Sequence, residues 1–126
     1  MRVLLDTHIF FWWIKNDRRL SKLAQSKISV AEEVYVSSAS IWELAIKIKL
    51  KKLQADINKL EDAITASDFL ELPISVRHAA AVMNLPDIHR DPFDRILIAQ
   101  AICEPLTFLT ADASLKNYSD LVELIE

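Results

Sequence analysis

The 126-residue chain contains no glycine. That excludes the glycine-rich phosphate loops and the dinucleotide-binding fingerprint, whose tight turns need residues without a side chain. Any phosphate chemistry here must use something other than a backbone cradle. What the chain offers instead is a succession of short apolar runs separated by stretches of helical spacing. RVLLD (Arg2–Asp6) reads as a strand buried on both faces and ending at an acid. THIFFWWIKN follows as a helix, with Thr7 placed to cap it. Its Phe10, Trp12 and Trp13 form a stripe too wide to face solvent throughout. SKLAQSKISVAEE has apolar positions near helical spacing, and VYVSS (Val34–Ser38) is a second strand. SASIWELAIKIKL is helical again, with Ile41, Leu44, Ala45 and Ile48 on one side.

Beyond it, Asp56 to Phe69 makes another helix and LELPI (Leu70–Ile74) a short strand. VRHAAAVMNL is a small-residue helix that stops before Pro86, and HRDPFDRILIAQA supplies the next one. LTFLT (Leu106–Thr110) is a clear strand, ADASLKNY a short helix and LVELI (Leu121–Ile125) a closing strand. No repeat, low-complexity tract or linker interrupts the pattern. Strands alternating with helices at this spacing define an α/β domain with a parallel sheet and helices on both faces. At 14.4 kDa the chain is one domain by size. A chain this long buries about two-thirds of its unfolded surface and needs no staples.

Hydrophobic residues make up 52% and charged ones 26%, a globular rather than a disordered balance. The single cysteine, Cys103, closes no intrachain disulfide and leaves no thiolate metal cluster, which points to a reducing, cytoplasmic setting. IFFWWI is too short to span a bilayer, and no small-residue cleavage site follows it. Net charge is −3, whereas nucleic-acid binders are usually basic. Two divalent cations bound to the acids would reverse that sign.

Placed on this scaffold, four acids fall at one end of the sheet. Asp6 ends the first strand, and Asp112 follows LTFLT by two residues. Glu43 lies in the first turn or so of the helix leaving VYVSS, and Asp94 in the first turn of its own. In open parallel sheets the carboxyl ends of strands and the adjoining helix starts share one crevice. Asp6, Glu43, Asp94 and Asp112 are therefore expected to converge. Taken singly, each has a structural use. Asp91-Pro92-Phe93-Asp94 fits a cap, a proline at the first helical position and an acid at the third. Ser40-Ile41-Trp42-Glu43 has the pattern of a capping box. Asp112 and Asp6 each precede a helix they could cap.

Taken together, capping is the weaker account. Serine, threonine and asparagine cap as well as aspartate does, yet the strand ends here repeatedly carry carboxylates. Two carboxylates ~4 Å apart repel by roughly 4 kcal/mol at an effective dielectric of 20. A cation relieves such a set, and oxygen ligands without histidine or cysteine at metal spacing suit Mg²⁺ or Mn²⁺. We therefore assign Asp94 to a metal and Asp91 mainly to the helix start. Lys47, four residues after Glu43, is placed for an ion pair, as is Arg95 after Asp91. KIKLKK, around Lys47–Lys52, could line a backbone-binding groove but reads more readily as a solvated helix face. His8, His78 and His89 form no ligand pair by spacing. Thr7, Ser38 and Thr110 flank the crevice as auxiliary hydrogen-bonding groups, beside Asp91 and Arg95.

The succession LLDTH, SSASIWELAIK, HRDPFDRILIAQA and FLTAD closely resembles the PIN-domain ribonucleases, and more narrowly the VapC toxins of bacterial type II toxin–antitoxin pairs. The resemblance spans essentially the whole chain. It implies a single PIN domain over residues 1–126, a three-layer sandwich with a central, mainly parallel sheet flanked by helices. The metal-binding acids it implies are Asp6, Glu43, Asp94 and Asp112, the set selected by spacing. It also implies a homodimer and a VapB-type antitoxin that blocks the crevice with a basic side chain. Relatives usually carry glycine where this chain has Lys51 and Glu104-Pro105.

The resulting expectation is a metal-dependent endoribonuclease that leaves a 5′-phosphate and a 3′-hydroxyl. Three alternatives stand beside it. A metal-independent ribonuclease working through His8 or His89 would resist chelators and leave a cyclic phosphate. A non-catalytic PIN-fold module that binds RNA or protein would have lost some of the four acids. A receiver-like phosphoacceptor would need an early acidic pair, and LLDTH has one acid.

Overall fold

The computed structural model describes residues 1–125. Its elements are β1 (Arg2–Leu5), α1 (Thr7–Lys15), α2 (Lys22–Ser29), β2 (Glu33–Ser37), α3 (Ser38–Lys49), α4 (Ile57–Ala66) and β3 (Leu70–Leu72). Then come α5 (Val76–Ala81), a 3₁₀ turn (Val82–Asn84), α6 (Pro92–Cys103), β4 (Thr107–Thr110), a second 3₁₀ segment (Ala113–Tyr118) and β5 (Val122–Leu124). The five strands form one sheet in the order β3-β2-β1-β4-β5. Every pairing is parallel, so the sheet is wholly rather than mainly so.

Side chains alternate across each strand, so one strand feeds two cores. Val3 and Leu5 pack with Phe10, Ile28, Val36, Leu44 and Leu60 on the face covered by α1 to α4. Leu4 turns the other way and joins Phe108, Leu97, Ile98, Leu115 and Val122 under α6. The result is the expected helix–sheet–helix sandwich. β1 is central, with β2 on one side and β4 on the other, its pairs including Leu4 with Tyr35 and Leu4 with Phe108. The chain thus reverses its winding direction at β1, and the carboxyl end of β1 opens at the switch point where such sheets hold ligands.

A chain without glycine must end its helices by other means. Asn16, Lys51 and Asp68 take φ of 50°, 59° and 60°. Each sits just past a helix, and the two amides that follow close back on the last turn. Lys51 N–H donates to the Ile48 carbonyl at 3.0 Å and Lys52 N–H to the Lys47 carbonyl at 2.9 Å. This is the Schellman closure usually built around glycine. Lys51 is one of the two regions where the family resemblance leads glycine to be expected, and its left-handed backbone is a conformation that favours glycine.

Three local expectations change. Thr7 is the first residue of α1 rather than its cap; its Oγ1 donates to Ser40 Oγ at 2.9 Å. The Ser40–Glu43 capping box does not form, because α3 starts at Ser38 with Ser37 Oγ accepting the Ala39 amide at 3.0 Å. Glu43 therefore lies in the second turn. Arg95 does not pair with Asp91. Its guanidinium donates instead to the carbonyls of Pro86 (2.8 Å), Val82 (3.3 Å) and His89 (3.4 Å) and to the Tyr118 hydroxyl (3.2 Å).

Candidate active site

At the carboxyl end of β1 lies a cleft of about 280 Å³ whose lining includes Asp6, Glu43, Asp91, Asp94 and Asp112. Four elements deliver these acids, so the convergence is a product of the winding and not of proximity in sequence. Asp6 is 3% exposed and occupies the cap position of α1, yet its side chain makes no capping hydrogen bond. Its Oδ2 accepts the Thr110 hydroxyl at 2.6 Å, and its Oδ1 is buried with no hydrogen-bond partner among the described residues. An orphaned buried carboxylate oxygen is costly unless something else satisfies it. Thr110 Oγ1 also accepts the Asp112 amide at 3.0 Å, so one buried hydroxyl ties two of the acids together.

Electrostatics report the crowding directly. Burial pushes the Asp94 carboxyl up to about 8 from an ordinary 3.8, and the charges of Asp6, Asp91, Glu43 and Asp112 add to the shift. Burial also raises Asp6, opposed by the Thr110 hydroxyl and the nearby His8. The charges of four neighbouring acids thus raise the cost of ionising Asp94.

The acids differ in how they are held. Asp91 Oδ1 accepts the Phe93 and Asp94 amides at 2.9 and 3.2 Å, the capping role assigned to it. Asp112 Oδ1 accepts the Ser114 amide at 2.9 Å and its hydroxyl at 2.7 Å, so Asp112 also caps a helical turn. Glu43 Oε2 takes Lys47 Nζ at 3.0 Å. His89 Nδ1 accepts the Asp91 amide at 3.2 Å, which leaves Nε2 directed at Asp94 Oδ2 across 3.7 Å.

Among the described residues, no three His, Cys, Asp or Glu side chains are arranged so that they could hold a metal ion as they stand. The donor chemistry nonetheless fits a hard divalent cation: the acids offer oxygen, and Asp6 Oδ1 has nothing else to satisfy it.

Of the auxiliary residues, Asp91 lines the cleft; Thr110 is buried behind it, bonded to Asp6 and to the Asp112 amide, and Thr7, Ser38 and Arg95 do not line it. Ser38 Oγ accepts the Ile74 amide at 3.2 Å and holds the β3–α5 connection. Sequence reading missed Phe93 and Ile46, which also line the cleft, and preferred a solvated face for the KIKLKK run, from which Lys47, Leu50 and Lys52 line it. It missed Tyr118 as well, which exchanges hydrogen bonds with the His89 backbone at 3.1 and 3.2 Å. No motif marks a tyrosine for that use.

Comparison with known proteins agrees with the architecture. Residues 3–121 match the PIN domain. The chain belongs to the PIN-domain family. It is 31% identical over 118 residues to Ribonuclease VapC22 of Mycobacterium tuberculosis (strain ATCC 25618 / H37Rv), covering 92% of this chain and 91% of that protein. Among solved structures, it resembles a chain of VapBC2 from Rickettsia felis, determined bound to a DNA fragment from their promoter. That likeness has a TM-score of 0.72 at 16% identity and covers 99% of this chain and 98% of the other. A chain of a toxin–antitoxin complex from Klebsiella pneumoniae matches with a TM-score of 0.65 at 18% identity, covering 98% and 96%. At such identities these two likenesses concern the fold. Among the described residues, no helix is long and apolar enough to cross a membrane.

Proposed function

We propose that the chain is a divalent-metal-dependent endoribonuclease and the toxin of a type II toxin–antitoxin pair. The observation that carries this reading is the buried, unpartnered Oδ1 of Asp6 in a cleft lined by Glu43, Asp94 and Asp112. In the proposed site Asp6, Glu43, Asp94 and Asp112 hold Mg²⁺ or Mn²⁺. Bound there, the ion would activate a water and offset charge on the scissile phosphate. Thr110 holds Asp6 by Oδ2, which leaves Oδ1 for a ligand, and its second hydrogen bond ties the Asp112 backbone to the same hydroxyl. Lys47, held by Glu43, stands at the cleft edge as a cation for a substrate phosphate. The names of the relatives support RNA as substrate and a VapB-type antitoxin as partner. A homodimer in the cytoplasm completes the reading.

The test is cleavage of single-stranded RNA by wild type and Asp6→Asn with Mn²⁺ or with EDTA, followed by analysis of the product ends. Wild type should cut only with metal and leave 5′-phosphates, and Asp6→Asn should be folded but inactive. A histidine-based ribonuclease is the second reading, favoured by His89 Nε2 facing Asp94 and by His8 in the cleft. Cleavage that survives EDTA and leaves cyclic phosphates would establish it instead.

A further inference from the structure

We infer that the cleft between α1 and the α3–α4 connection is a subsite for a nucleotide flanking the scissile phosphate of single-stranded RNA. The inference rests on the RNA-cleaving reading and adds a place and a chemistry for the substrate. This second cleft, also about 280 Å³, shares His8, Lys47 and Lys52 with the acidic one, so the two are continuous. Its character is opposite. Among the described residues its lining brings Arg19, Lys47 and Lys52 beside Phe11 and Trp12, with no carboxylate.

The groups are held in an order that suits a nucleotide. Arg19 lies 5.0 Å from the centre of the Trp12 ring. Asp17 grips it through Nε at 3.1 Å and Nη2 at 2.7 Å, which fixes the guanidinium plane. The His8 ring lies 6.1 Å from that of Trp12. Lys52 is exposed and makes no ion pair among the described residues, and the Schellman turn at Lys51 places it between the two clefts. Proteins that bind single strands combine cations along the backbone with aromatic faces for the bases. There is also an electrostatic need. A cleft lined with carboxylates repels phosphate, so the strand must be held by cations just beyond it. Arg19 and Lys47 are already paired with Asp17 and Glu43, so Lys52 is the cation of this lining without an ion pair among the described residues, and a phosphate would share the other two with their carboxylates.

The test is binding, read by anisotropy of a labelled single-stranded RNA of roughly twelve nucleotides. Asp6→Asn protein in EDTA serves as the parent, so no cleavage intervenes. Arg19→Ala with Lys52→Ala should weaken binding about tenfold and flatten the dependence of log affinity on log salt by about 1.4, at ~0.7 per lost phosphate contact. Trp12→Leu should weaken RNA by about fivefold or more but leave an abasic strand of equal length unchanged. Trp12→Phe, which keeps an aromatic face, should restore RNA binding and so separates stacking from a folding defect. Equal affinity across the variants would overturn the inference. So would equal losses on RNA and abasic strand, which mark a general polyanion surface, or displacement of RNA by polyglutamate at matched charge, which marks a site for acidic protein. Wild-type cleavage with Mn²⁺ is measured separately: intact cleavage with indifferent variants sinks the subsite alone, while absent cleavage with responsive variants sinks only the nuclease reading.

Discussion

At the scale of single residues, Asp94 links structure to pH. Its carboxyl titrates at about 8 in the folded protein against 3.8 ordinarily. Between those values the folded state holds a proton that the unfolded chain has released, so stability falls as pH rises. Metal-free protein should therefore lose stability between about pH 4 and pH 8, on the order of 1–2 kcal/mol from this group once solvent screening is allowed for. Urea unfolding across that range checks it. Asp94→Asn should flatten the slope without abolishing it, because Asp6 is raised too. An undiminished slope in Asp94→Asn would assign the effect elsewhere. Lys51 offers an independent residue-level test. Its φ of 59° strains a residue that carries a Cβ, so Lys51→Gly should stabilise the fold by about 0.5–1 kcal/mol, seen as a higher Tm.

At the scale of elements, the start of α6 depends on a knot that local rules do not foresee. Arg95 gathers the carbonyls of Val82, Pro86 and His89, and lies 5.9 Å from the centre of the Tyr118 ring, to whose hydroxyl it also donates. Tyr118 closes the segment that begins beside Asp112, so the knot joins the two elements that carry Asp94 and Asp112. Arg95→Met should cost about 2–3 kcal/mol in urea unfolding, because several carbonyls lose a charged donor at once. Arg95→Lys should recover little, since an ammonium cannot reproduce the fork. Removing the cap at Asp91 is a smaller insult. Asp91→Ala should cost about 1 kcal/mol, with far-UV circular dichroism nearly unchanged.

At the scale of the molecule, the proposed metal site predicts a coupling between cation binding and stability, because burial and like charge disfavour ionisation of Asp94 and Asp6. Mn²⁺ at 100 times its Kd should add about 2.7 kcal/mol to wild-type stability. Asp6→Asn should respond far less, and EDTA should reverse the gain; differential scanning calorimetry reads all three. The scaffold that holds the cleft is insensitive to this chemistry, since β1 is buried between two apolar layers and carries Asp6 only at its end. Much of that plan was legible in the sequence. RVLLD, VYVSS and LTFLT announce buried parallel strands because they are short, mainly apolar and without an internal charge, and the acids at strand ends then share a location by topology. Glu43 was misplaced within α3 because Ser37 and Ser38 precede Ser40 and offer competing starts. Capping choice depends on where the strand releases the chain.

The sequence alone determined the elements, their parallel arrangement and the end of the sheet at which Asp6, Asp94 and Asp112 gather. Those follow from apolar periodicity and connection length, which are properties of short stretches. Only the tertiary structure decided which atoms meet: Thr110 between Asp6 and Asp112, Lys47 on Glu43, Arg95 on carbonyls rather than Asp91, and a basic aromatic cleft beside an acidic one. The reason is that a side chain can reach several partners, and the packing of distant segments fixes which of them arrives.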